Sequence, residues 1–207
     1  MSQSRTAAGN KLADRLLATA VHEAGHALAF YRLNFRIKRV TIVPKDDCLG
    51  FASSPVGLSF SSLEHERPTR GMVALWHDRV VCLLAGGEAQ RRFNSKSMRW
   101  GTSCGDLDGV KDILWRLHPT NEQAAVFRYL KIRTQNLINQ PTNWRMIQDL
   151  AQVLVEKRSL SGDEVLAVLR DSIQQQIRER RDQRAAAGDK LVVHAAHTHG
   201  ARRHRSV

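Results

Sequence analysis

The 207 residues, 42% of them hydrophobic and 25% charged, suffice for one domain or two very small ones, with a core that needs no disulfide staples. Lys and Arg number 32 against 20 Asp and Glu, and the formal net charge of +12 favours acidic partners such as nucleic acid or anionic lipid. No apolar run approaches the ~18–20 residues of a membrane span, and residues 1–20 lack the apolar stretch of a secretory signal, so membrane insertion and secretion are not expected.

The three cysteines, Cys48, Cys82 and Cys104, are odd in number and irregular in spacing, which is no disulfide framework. Reduced thiols in a cytoplasmic protein are the expectation. No zinc-finger or RNA-recognition signature is present and aromatic residues are sparse, so nucleic-acid binding would rest on charge alone.

In chain order, a helix is expected from about Asn10 to Leu33, because Leu12, Leu16, Ala20, Ala24, Ala27, Leu28 and Tyr31 recur on one helical face. The β-branched stretch Ile37–Val43 predicts a strand, Pro44–Cys48 a turn and Leu49–Ser53 a returning strand. Residues 54–69, rich in Ser, Pro and Gly, predict a long loop of the kind that often carries function. A second helix should span Arg70–Phe93, followed by a polar loop over Asn94–Gly105 and a third helix over Asp106–Leu117 that stops at His118-Pro119. Thr120-x-x-Gln123 predicts a capping box for a fourth helix ending near Asn139. Pro141-Thr142 separates it from a fifth with Trp144, Ile147, Leu150, Ala151 and Leu154. Ser161-x-x-Glu164 predicts another capping box, with Leu160 and Val165 as its hydrophobic staple, for a sixth helix fading near residue 182. The fold class is therefore mainly α with a small β element.

The sharpest feature is His22-Glu23-Ala24-Gly25-His26, an H-E-x-x-H pattern inside the first helix. Residues i and i+4 share a helix face about 6 Å apart, which lets two imidazoles grip one Zn²⁺. Glu23 is rotated about 100° from His22 around the helix and suits a general base acting on water. Zinc makes water acidic near neutral pH, which is what such a base exploits. Gly25 in a helix interior costs ~1 kcal/mol relative to Ala, so a close-packing reason is expected for it. A catalytic zinc needs a third protein ligand. No third His follows at the metzincin distance, so Glu64, His65, Glu66, His77, Asp78, Glu88, Cys104, Asp106, Asp108 and Asp112 are all candidates.

HEAGHA, the strand RVTIVP, LGF, DRVVCLLAGGEAQRRF, GTSCGDLDGVKDI and LVEKRSLSGDEV occur in that order across roughly residues 15–170. This ordered set resembles the peptidase domain of the FtsH family of ATP-dependent zinc proteases. The resemblance implies an FtsH-peptidase-like zincin helical domain. It implies zinc held by His22, His26 and Asp106, with Glu23 as catalytic base. It implies an edge strand over Val40, Thr41, Ile42 and Val43 that holds extended polypeptide substrate. The family's Ser-Asn-Asp is Cys104-Gly105-Asp106 here, and its paired acidic residues are replaced in Gly86-Gly87-Glu88-Ala89-Gln90-Arg91. No G-x-x-x-x-G-K-[ST] loop occurs, so ATP-driven unfolding would need an ATPase partner in trans. The expected organisation is a flexible N-terminus over 1–9, a metallopeptidase-like domain over 10–182 and a disordered basic tail over 183–207. That tail holds His194, His197, His199 and His204. A zinc-stabilised interaction module without turnover is the alternative.

Overall fold

A computed structural model describes the backbone of residues 2–44, 49–53, 68–95 and 105–200, and the side chains of 13–44, 49–53, 68–95 and 105–186. Helix α1 spans Ser2–Arg32, and every residue from Val21 to Phe30 is buried. The small side chains of Ala20, Ala24 and Ala27 let neighbouring helices approach, and all three are fully covered, as is Leu28. Helix α2 (Arg70–Phe93) lies along α1. Gly25 is the contact point: a Cβ there would stand 2.7 Å from both the Ala85 carbonyl oxygen and the Ala89 Cβ, too close for any side chain. Thr69 starts α2 by accepting a hydrogen bond from the Met72 amide at 3.3 Å.

Helix α3 (Asp106–Leu117) and helix α4 (Thr120–Asn139) also pack on α2. Their shared core comprises Trp76, Val80, Val81 and Leu84 of α2 with Val110, Ile113 and Leu114 of α3 and Leu130 of α4. Helix α5 (Pro141–Lys157) packs on α1 and buries Met146, Ile147, Leu150 and Leu154. Pro141 occupies its first turn, where no amide partner is needed. The end of α2 is pinned to the α4–α5 corner: Arg92 donates to the Ile138 carbonyl at 2.9 Å and lies 4.2 Å above the Trp144 ring.

Three short strands form one antiparallel sheet in the order β2 (Phe51–Ser53), β1 (Arg39–Thr41), β3 (Ser159–Ser161). Val40 stands opposite Ala52 on one side and Leu160 on the other. Strand β3 has no periodic signature of its own, since it is three residues long and its last, Ser161, caps the next helix. Its presence corrects the expectation for the substrate strand. Both edges of β1 are taken, so Val40 and Thr41 cannot pair with a further strand, and the Ile42 amide donates to the Arg158 carbonyl at 2.8 Å. Val40 and Ile42 are buried, and only Val43 is exposed. Among the described residues the sheet edges are β2 and β3.

Helix α6 runs over Gly162–Gly200. Its capping box forms as expected: the Glu164 amide donates to Ser161 Oγ at 3.3 Å, and the Ser161 amide donates to Glu164 Oε2 at 2.9 Å. Leu160 and Val165 are both buried beside it. The other expected box does not form. Pro119 is the N-cap of α4, its carbonyl accepts from the amides of Glu122 and Gln123, and the Gln123 side chain donates to the His118 carbonyl. Proline's fixed φ starts the helix one residue earlier and leaves Thr120 inside it. Helical backbone also begins at Ser2 rather than Asn10 and continues past residue 182, through Ala-, Gln- and Arg-rich stretches with no proline. The chain divides into two units, residues 1–169 and 170–207, and the second contains α6 from Arg170 to Gly200. In that second unit Gln175 donates to Glu179 at 3.0 Å, an i,i+4 pair along the helix. Among the described residues no helix is long and apolar enough to cross a membrane.

Candidate metal centre

His22 and His26 lie one turn apart on the buried stretch of α1, where α2 covers them. Their Nε2 atoms are 3.1 Å apart and their rings meet edge to face. Asp106, the first residue of α3, brings Oδ2 to 3.4 Å from His22 Nε2 and 3.2 Å from His26 Nε2. Gly105 before it has φ of 82°, a left-handed turn that glycine adopts without strain and that starts α3 at Asp106. Donors bound at ~2.0–2.1 Å around a tetrahedral ion stand about 3.3 Å from one another. The three donor atoms therefore form a triangle of the size one such ion requires, and two imidazoles with a carboxylate suit a divalent metal.

The other ring nitrogens are committed elsewhere. His22 Nδ1 donates to Gln90 Oε1 at 3.0 Å, and His26 Nδ1 donates to the Cys82 carbonyl at 2.7 Å. Both contacts fix a proton on Nδ1 and turn Nε2, the liganding atom, toward Asp106. Gly86 forms the floor: a Cβ there would overlap His26 Nε2 and approach His22 Cδ2 to 2.8 Å. These supports all come from α2, one turn apart at Cys82, Gly86 and Gln90. Sequence reading missed their roles, since nothing local marks them. The i, i+4, i+8 spacing on the helix after the motif was the available signal.

Glu23, next to His22 in the chain, lies against Gly50. It is 5% exposed, and a Cβ at Gly50 would lie 2.6 Å from its Oε1. Burial pushes the Glu23 carboxyl pKa up, with Asp106 adding to the rise and the two histidines opposing it. Burial pulls His26 down, but the charge and hydrogen bond of Asp106, helped by Glu23 and the Cys82 carbonyl, carry it up to about 9. Burial also acts against the Asp106 carboxylate, yet His26 and His22 hold it well below the usual carboxylate range. The metal-free cluster thus keeps a proton and a negative charge together, the arrangement a cation would replace.

Comparison with protein-family models and with curated protein sequences gives no match for this chain. The site is therefore judged on its own geometry. Among the described residues, His22, His26 and Asp106 form the one group of three or more potential ligands close enough to share an ion. The other candidates are engaged elsewhere. Glu88 pairs with Arg91 and accepts from Gln135, Asp78 pairs with Arg133, Asp108 with Lys111 and Asp112 with Arg116. His77 faces His118. Glu64, His65, Glu66 and Cys104 lie outside the described residues, as do the side chains of His194, His197, His199 and His204.

Proposed function

We propose that this chain is a zinc metalloendopeptidase, resembling the FtsH peptidase domain, that hydrolyses extended or unfolded polypeptide without using ATP itself. The observation that carries the reading is the triangle of His22, His26 and Asp106 with the buried Glu23 carboxylate beside it. Zn²⁺ at these three ligands would supply a Lewis acid for the peptide carbonyl and bring water's pKa toward 7.

The residues of the chain do the rest. Gln90 and the Cys82 carbonyl hold the imidazole rings in the liganding tautomer. Glu23 takes the proton from the attacking water and returns it to the departing amine. Glu23, a carboxylate covered from solvent, can hold the proton between the two steps. Extended substrate adds to a free sheet edge through backbone hydrogen bonds. With β1 enclosed, the edge that leads to Glu23 is β2, through Gly50. Val43, Leu49 and Phe51, 52%, 49% and 56% exposed, give this end of the sheet an apolar rim. An ATPase partner in trans would extend the substrate range to folded proteins.

The test compares wild type with Glu23→Gln on a panel of unfolded proteins, with zinc content measured in both. Glutamine keeps the shape and removes the base. Zinc should stay near one per buried centre while hydrolysis falls by about 10²–10⁴-fold. A zinc-loaded, folded wild type that cleaves nothing on the panel would replace this reading with that of a zinc-stabilised interaction module. Equal, chelator-insensitive hydrolysis by the two proteins would identify a contaminant.

A further inference from the structure

A second pair of imidazoles meets on the far side of α2. His77, on α2, and His118, which ends α3, bring their Nε2 atoms to 2.9 Å, with ring centroids 5.1 Å apart and 23° between planes, so the two rings meet end to end. That separation is close to the 3.1 Å of His22 and His26 and to the ~3.3 Å between two nitrogens on a tetrahedral zinc. Both rings sit on fixed backbone. The His118 amide donates to Leu114 and its carbonyl accepts from Gln123, while His77 lies within a helix. Glu122 Oε2 stands 3.8 Å from His118 Nδ1, so a carboxylate faces the ring nitrogen that would carry the proton. Asp78 is held by Arg133 at 2.6 Å, which offsets the nearest cation.

We propose that His77 and His118 form a second divalent-cation site, for Zn²⁺ or another imidazole-binding metal ion, which ties α2 to the α3–α4 corner. Among the described residues no third protein ligand completes it. Water fills the remaining positions, and the site binds more weakly than the three-ligand centre. Metal-free, one ring donates its Nε2 proton to the other. On binding, that proton moves to the Nδ1 of the same ring, and both rings turn so that their Nε2 lone pairs converge on the ion. The proposal is independent of peptidase activity.

The experiment is a Zn²⁺ titration of the full chain against a chromogenic chelator, beside His77→Gln and His118→Gln. Each variant should lose one weaker zinc per chain while retaining the tight one. Zinc bound by the histidines near the C-terminus is common to all three proteins and cancels in the comparison. Circular dichroism without metal reports folding, and either folded variant suffices. Imidazole ¹⁵N spectra of wild type require no substitution: Zn²⁺ should shift the Nε2 resonances of both His77 and His118. A folded variant with wild-type zinc stoichiometry and affinity, or resonances unmoved at saturating Zn²⁺, would overturn the site.

Discussion

Gly86 shows how much of the candidate centre rests on residues without chemistry of their own. Its missing side chain leaves the space that His26 Nε2 and His22 Cδ2 fill. Gly86→Ala should displace the liganding nitrogens and weaken zinc binding by more than tenfold. The overpacking itself costs about 1–3 kcal/mol of stability. Zinc competition and thermal melts on the same samples separate the two effects. Gln90→Leu should act differently. It retains bulk but removes the acceptor for His22 Nδ1, so metal affinity should fall by about 10–100-fold. Gln90→Glu should restore much of it, since a carboxylate also accepts that proton. His22, Glu23 and His26 were legible in the sequence because their spacing lies within one helical turn. Asp106 was one of ten candidates on spacing alone, and only resemblance set it apart. Gln90 was invisible because its partner is 68 residues away.

At the scale of elements, the six helices among the described residues stand where the apolar periodicity puts them, save the outer ends of α1 and α6, and the other errors fall where short-range chemistry is ambiguous. Pro119 and Thr120 both look like cap residues, and proline's rigid backbone decides between them. Strand β3 is three residues long, too short for an alternating pattern to register. The cap beside it makes a pH-dependent contribution. The Ser161 amide and hydroxyl, with Lys157, hold the Glu164 carboxylate below its ordinary pKa. A depressed folded pKa means stability that is present above the unfolded value and lost as pH falls through the folded one. Wild type should therefore melt above Glu164→Gln at pH 7. The gap between the two melting temperatures should close on acidification through the carboxylate range. A gap that persists at pH 2 would assign the effect to something other than this charge.

Within residues 1–169, the centre draws its ligands from α1 and α3, each of which packs more extensively on α2 than on the other. An ion bound between α1 and α3 should therefore stabilise the whole unit. Binding only to the folded state contributes about 4 kcal/mol when free Zn²⁺ is 1,000 times its dissociation constant. For a unit of this size that is a melting-point rise on the order of 10 °C. Melting in zinc and in a strong chelator measures it, and identical curves in a zinc-loaded and a stripped sample would contradict the linkage.

The separation of the ligands along the chain has a kinetic consequence. His22 and His26 come together as soon as one stretch of helix forms, whereas Asp106 must arrive across about 80 residues of chain, a closure costing roughly 4 kcal/mol in entropy. Capture of an ion by the refolding chain should therefore proceed in two steps. A fast, loose association with the nascent helix comes first, and a slower tightening follows when the start of the 106–117 segment docks. Stopped-flow refolding with Co²⁺ should show two spectral phases, and Asp106→Ala should erase the second while leaving the first.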